Sequence, residues 1–218
     1  PKTSSAASDV YKRQTPHGAI ILRPGKVKRR KEVEVHRRFY EALGIPIVGE
    51  ITGEGTLEGG DCFWLNSSTL AVGRGFRSNE NGIHQMRDIL SDLDINVVQF
   101  DLPPQDDPDA CLHLMSVVSP LDHDLALIYE PLMPNNLQGV LKDFGYDLLS
   151  APVNEFELSY GLSLNVLAVS ERSVIAIEGF DETRGLMENA GCVVSTFPGD
   201  ELCIMRGWPD LFDSTCSP

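Results

Sequence analysis

Apolar and polar positions along this chain fall into blocks that repeat. Residues 19–22 are continuously apolar and read as a strand. A basic loop follows, and residues 32–43 place Val35, Phe39 and Leu43 four apart, one stripe of a helix, before Gly44 stops it and residues 45–48 return as strand. In the second block, residues 63–65 and 70–72 read as a hairpin around Asn66-Ser67-Ser68. A helix over 79–93 follows, with Ile83, Met86, Leu90 and Leu93 on one face, and then a strand over 97–100. The third block has strands at 117–118 and 125–129 and a helix near 135–144 with Leu137, Val140, Leu141 and Phe144 inward. Gly145 is its stop, and a strand spans 146–149. The fourth has strands at 165–169 and 174–177, a helix over 181–190, Gly191 as stop and a strand over 192–197. Each unit of strand, strand, helix, strand is too small to bury both faces of its own sheet and helix, so the units must pack against one another.

Composition narrows the class. With 218 residues, 42% of them hydrophobic, the chain can bury the core of one compact domain. It has no apolar run near the roughly 20 residues that span a bilayer and no charged-then-apolar leader, so a cytoplasmic protein with no membrane association is expected. A formal charge of −14 argues against a nucleic-acid partner and is compatible with a cationic small molecule. The five cysteines, Cys62, Cys111, Cys192, Cys203 and Cys216, form no Cys-x-x-Cys pair and no zinc spacing, and read as reduced thiols. Cys62, Cys111 and Cys192 lie in or beside apolar runs and read as small buried hydrophobes.

Both ends break the pattern. Residues 1–14 are polar and aperiodic, resemble a translated sequencing adaptor, and are set apart from the fold. Residues 208–218 continue no unit. Back-translated with one choice of degenerate codons and read one base later, the segment after Gly207 becomes Gly-Pro-Thr-Cys and completes Gly-Gly-Pro-Thr-Cys with that glycine, so the tail reads as frameshifted. The expected division is a non-native segment over 1–14, a repeat domain over 15–207 and a frameshifted tail over 208–218.

The candidate chemistry lies where two units meet. Leu57-Glu58-Gly59-Gly60-Asp61 and Leu112-His113-Leu114-Met115-Ser116 put a carboxylate and an imidazole at equivalent points of successive repeats. By itself Glu58-Gly59-Gly60-Asp61 reads as a tight turn whose glycines take positive φ, and His113 by itself as a satisfied core histidine. Strand alternation puts His113 on the opposite face from Leu112 and Leu114. Taken together, the two segments point to an active site.

These segments, with Arg23-Pro24-Gly25, Arg29-Arg30-Lys31-Glu32, residues 73–79 (Gly-Arg-Gly-Phe-Arg-Ser-Asn) and residues 164–168 (Leu-Asn-Val-Leu-Ala), resemble the guanidine-modifying superfamily of amidinotransferases, arginine deiminases and dimethylarginine dimethylaminohydrolases. The resemblance implies an α/β fold, a five-bladed pentein-type propeller of which the first blade is largely missing here. It also implies a cysteine thiolate that attacks a guanidinium carbon without metal or cofactor, and a small-molecule guanidine as partner. On the matching positions, His113 is the acid and base, and Glu58 is the carboxylate that hydrogen-bonds it. Arg29 and Arg77 hold the substrate carboxylate, and Asp61 belongs to the binding site, chiefly by structuring the turn. The nucleophile is the cysteine of the Gly-Gly-x-x-Cys segment in the shifted frame or, as the chain stands, Cys216.

Met115 stands where deiminases and amidinotransferases carry the aspartate of His-x-Asp, which tilts the reading toward a dimethylarginine dimethylaminohydrolase-like hydrolase. The alternatives are an arginine deiminase or amidinotransferase, and a catalytically inactive propeller that serves as a binding module. His17, His36, His84 and His123 read as surface groups, and the sequence leaves homo-oligomerisation open.

Overall fold

In a computed structural model, residues 12–15, 17–104 and 112–199 are described. They form four three-stranded sheets, each built the same way: a hairpin brings the first two strands together antiparallel, and a helical crossover lays the third strand parallel to the second. The first unit is β1 (Lys12–Thr15), β2 (Gly18–Ile21), α1 (Glu32–Ala42) and β3 (Ile47–Glu50). The second is β4 (Cys62–Asn66), β5 (Thr69–Arg74), α2 (Glu80–Ser91) and β6 (Asn96–Asp101). The third is β7 (Val118–Pro120), β8 (Leu125–Ile128), α3 (Leu137–Asp143) and β9 (Asp147–Ser150). A short α4 (Val153–Leu158), absent from the sequence reading, leads into β10 (Leu167–Ser170), β11 (Ser173–Ile177), α5 (Asp181–Asn189) and β12 (Val193–Phe197). Because β1 pairs with β2 in full register, residues 12–14 of the segment set apart on sequence grounds lie in a sheet. Residues 208–218 lie outside the described residues.

The core is divided among the junctions between units. At the first junction Ile20, Leu22 and Ile51 meet Ile83, Met86 and Leu90 of α2 together with Leu70 and Val72. At the second, Phe63, Leu65, Ala71 and Phe100 meet Leu137 and Leu141 of α3. At the third, Leu121, Leu125 and Leu127 meet Met187 of α5. Each of these helices therefore wedges between its own sheet and the sheet before it, which removes both faces from water where no single unit could.

α1 departs from this rule and from the sequence reading. Its Val35, Phe39 and Leu43 are more than half exposed, and the buried residue is Tyr40, packed on Ala19 and Ile21 of its own sheet. Phe144, expected inward, is also exposed: it caps the C-terminus of α3, beyond the turn that Leu137 and Leu141 bury.

Candidate active site

The site forms where three loops of the first two junctions converge. The Pro24-Gly25 loop leaves β2, residues 54–61 lead into β4, and residues 75–79 connect β5 to α2. Asn79 ties the last two together. Its Oδ1 caps α2 by accepting from Gly82 N at 2.8 Å, as an N-cap asparagine does, and also accepts from Thr56 N at 2.9 Å, while its Nδ2 donates to Glu54 O at 2.8 Å. Leu57 N donates to Arg23 O at 2.9 Å and adds the first loop. These bonds fix the backbone on either side of Glu58.

Glu58 is fully buried. Its Oε1 accepts from Gly25 N at 3.0 Å and from Arg77 Nη1 at 3.2 Å, so a backbone amide and a guanidinium compensate the charge that burial would otherwise disfavour. Gly25 is required for this approach, since a Cβ there would lie 2.9 Å from Arg77 O. Glu58 Oε2 is buried without a hydrogen-bond partner and lies 3.7 Å from His113 Nε2.

Residues Gly59–Asp61 form a 3-10 turn rather than the positive-φ turn expected from sequence. Gly60 is there for space: a Cβ would sit 3.0 Å from His113 Cγ. The turn aims Asp61, also fully buried, at the other edge of the imidazole. Asp61 Oδ1 accepts from His113 Nδ1 at 3.1 Å and from Leu114 N at 3.0 Å, and Oδ2 accepts from the hydroxyl of Ser78. A carboxylate can only accept, so Nδ1 carries a proton and the lone pair of the neutral ring is at Nε2.

His113 is not a strand residue. It is the extended N-cap of a 3-10 turn over Leu114–Ser116, its amide donating to Ser116 Oγ at 3.0 Å. The turn still buries Leu114 and leaves the imidazole 14% exposed, between two carboxylates contributed from more than fifty positions earlier in the chain.

The pairing also differs from the expected one: His113 Nδ1 hydrogen-bonds Asp61, and Glu58 faces the far nitrogen at ion-pair distance. Arg77 is 5% exposed and hydrogen-bonded to Glu58, with a buried Nε that lacks a hydrogen-bond partner. Arg29 ends the 3-10 turn Val27–Arg29 and pairs with Glu32, Nε to Oε2 at 3.6 Å. Ser78, which sequence reasoning passed over, is fully buried in the site. Its only signal was its place between Arg77 and the helix-capping Asn79.

Cys216 lies outside the described residues, as do Cys111 and Cys203. Cys62 and Cys192 are both buried, and burial pushes the Cys192 thiol up, against thiolate formation. A cleft of about 250 Å³ is lined by Arg23, Arg30, Val33, Glu50, Ile51, Thr52 and Gly53 and contains neither carboxylate of the His113 cluster.

A family model described as arginine deiminase matches residues 12–154. An N(G),N(G)-dimethylarginine dimethylaminohydrolase of Streptomyces coelicolor is 33% identical over 114 residues, 52% of this chain and 41% of its own. An uncharacterized protein of Aeropyrum pernix is 24% identical over 173 residues, 79% of this chain and 57% of its own. The chain thus spans about half the length of these curated relatives. Among solved structures, the dimethylarginine dimethylaminohydrolase of Pseudomonas aeruginosa in complex with citrulline superposes with a TM-score of 0.72 at 25% identity, covering 89% of this chain and 69% of that one. SxtG, an amidinotransferase from Microseira wollei, gives 0.74 at 16% identity over 88% and 64%. The N-terminal domain of ArgZ, a cyanobacterial arginine dihydrolase, gives 0.74 at 18% identity over 90% and 69%. The last two share the fold.

Proposed function

We propose, for a chain that belongs to the arginine deiminase family and has the α/β pentein-type fold of the guanidine-modifying superfamily, that the parental protein hydrolyses the guanidine of an arginine derivative through a cysteine thiouronium intermediate. The observation that carries this reading is the fully buried Glu58 oxygen without a hydrogen-bond partner, aimed at the Nε2 edge of a histidine whose Nδ1 is fixed by Asp61. Buried polar atoms are rarely left unpaired, and an N–H of a guanidinium, or the proton that Nε2 acquires, is the partner this oxygen lacks.

In this mechanism a cysteine thiolate adds to the guanidinium carbon and forms the C–S bond. His113 delivers its Nε2 proton to the departing nitrogen as the C–N bond breaks and amine leaves. The same Nε2 then takes a proton from water as the oxygen adds to the thiouronium carbon. Collapse gives the ureido product and regenerates the thiolate. Glu58 and Asp61 stabilise the imidazolium from its two edges, and neither changes protonation. Arg77 neutralises Glu58 and, with Arg29, is the proposed anchor for the α-carboxylate of the substrate. The nucleophile is assigned to the tail, as Cys216 or as the cysteine of the shifted Gly-Gly-Pro-Thr-Cys frame. A cytoplasmic location belongs to the same proposal.

Resequencing the underlying DNA from upstream of Thr15 and from Arg206 onward settles the frame. The chain, and the frame-restored version if the DNA shows one, is then assayed with arginine and methylated arginines for ureido product. The expected result is methylamine or dimethylamine release that is abolished by His113→Ala and by loss of the tail cysteine. Full activity in His113→Ala would sink the mechanism. Ammonia release from arginine itself would favour the deiminase reading over the methylarginine one.

A further inference from the structure

We propose that the Ser78 hydroxyl is a positioning group for His113, acting through Asp61. The inference rests on the reading of the His113 cluster as the active site, but its first observable does not. Ser78 Oγ makes two bonds inside a region closed to water: it donates to Asp61 Oδ2 and accepts from Glu58 N at 3.0 Å. One atom therefore couples the main chain that carries the first carboxylate to the side chain of the second. The two carboxylates bracket the imidazole, so their spacing sets its tilt and tautomer.

Asp61 cannot be held by its own turn alone. Its Oδ1 already accepts from His113 Nδ1 and Leu114 N, both on the third unit. The Ser78 donor is the contact that anchors the other oxygen to the second unit, and Gly75 N donating to Ser78 O at 2.9 Å fixes the loop that presents it. Without the hydroxyl only the two donors on Oδ1 hold the carboxylate, which can then turn about its Cβ–Cγ bond and hold the Nδ1–H tautomer less firmly.

The test uses the full chain, labelled with 15N, and follows the imidazole nitrogens by long-range proton–nitrogen spectra, His113 being assigned by its loss in His113→Ala. Wild type and Ser78→Thr are expected to hold a single Nδ1–H tautomer. Ser78→Ala is expected to give a mixture, and Ser78→Cys, which keeps the size with a weaker donor, an intermediate one. In the active protein Ser78→Ala is expected to lower kcat by about 10- to 100-fold with KM changed less than about threefold, and Ser78→Thr to restore it. A purely structural serine would lower thermal stability without changing the tautomer. An unchanged tautomer in folded Ser78→Ala, or in Ser78→Cys if the alanine variant does not fold, overturns the inference. A shifted tautomer in a protein inactive toward every guanidine upholds the positioning role and removes the hydrolase reading instead.

Discussion

Two histidines in this protein are each bracketed by two carboxylates, and the contrast between them separates a site from a charge cluster. His123 has Asp122 Oδ1 at 2.9 Å from Nδ1 and Asp124 Oδ2 at 4.0 Å from Nε2, close to the distances of 3.1 and 3.7 Å around His113. The geometry is alike, but the surroundings differ. His123 is 67% exposed, and its acids are its chain neighbours, both already paired with Arg172, whose Nε reaches Asp122 at 3.0 Å and Nη2 Asp124 at 2.7 Å. These three side chains are also near enough to one another to share a cation, though that is common among exposed acids. The carboxylates of His113 are fully buried, come from the preceding unit, and were brought there by a packed junction. Water screens the imidazole of the first cluster and its Asp124, though Asp122 is itself largely covered. The second sits where charge interactions are strong and an unmatched oxygen is costly.

The comparison breaks most readily on activity. His113→Ala is expected to lower kcat/KM by at least about 10³-fold and Asp61→Asn by about 10²-fold, within the span that a positioned acid and base contributes. His123→Ala should leave the rate within about twofold. Steady-state kinetics on the three variants in the active protein decides it, and equal losses at the two histidines would erase the distinction drawn here.

Stability sharpens it next. Arg77→Met leaves Glu58 buried with only the Gly25 amide, and removal of one member of a buried pair costs about 3–5 kcal/mol. Arg172→Met breaks a part-buried network whose Arg172 and Asp124 still reach solvent, so a smaller loss is expected there. Denaturant melts at neutral pH should show the first variant destabilised more than the second.

Much of this architecture was legible from residue periodicity. The last three strand pairs, the four crossover helices, the buried face of α2 and most of that of α3, and the glycine stops all follow from local spacing, because each unit satisfies its backbone within itself. α1 misled because spacing reports an apolar stripe without saying whether a neighbour covers it. α4 was missed since six residues with one buried side chain, Phe156, carry too little period to read. At the site, Glu58 and His113, which the structure brings to 3.7 Å of each other, were singled out because they sit at equivalent points of successive units. The contacts of His113 with Asp61 and Glu58, and those of Ser78 with both segments, depend on how loops some twenty and fifty positions apart approach each other. Nothing in the local sequence encodes an approach of that kind.

A third test lies at the same junction as His113 but uses a group with no chemical task. Tyr146 is buried in the second core, its hydroxyl donating to the carbonyls of Trp64 and Leu65 at 3.3 Å each. Burial first, with the charges of Asp122 and Asp124 added, pushes its phenol up to about 12 from the usual 10. The folded state thus holds this proton more tightly than the unfolded chain. The resulting stability is complete below pH 10 and is lost as pH rises from 10 through 12, at most about 2 kcal/mol over that window. Tyr146→Phe should flatten the alkaline limb of the stability curve, and an unchanged limb would mean that the hydroxyl is not in the core.

The smallest effect is expected at His123, and its sign makes it informative. The hydrogen bond with Asp122 is the leading cause that raises its pKa above the ordinary histidine value, followed by the charges of Asp124 and Asp122. A raised pKa in the folded state gives stability that is fully present below about pH 6.5, the unfolded value, and fades as pH climbs through the folded one. The ring is exposed, so salt should weaken the effect within a Debye length of about 8 Å at physiological ionic strength. NMR titration of the His123 ring at low and high salt is the measurement. A pKa that starts high and relaxes toward 6.5 with salt marks a solvated cluster, whereas one indifferent to salt would place His123 in a protected environment like that of His113 and reopen the question of which histidine is the chemical one.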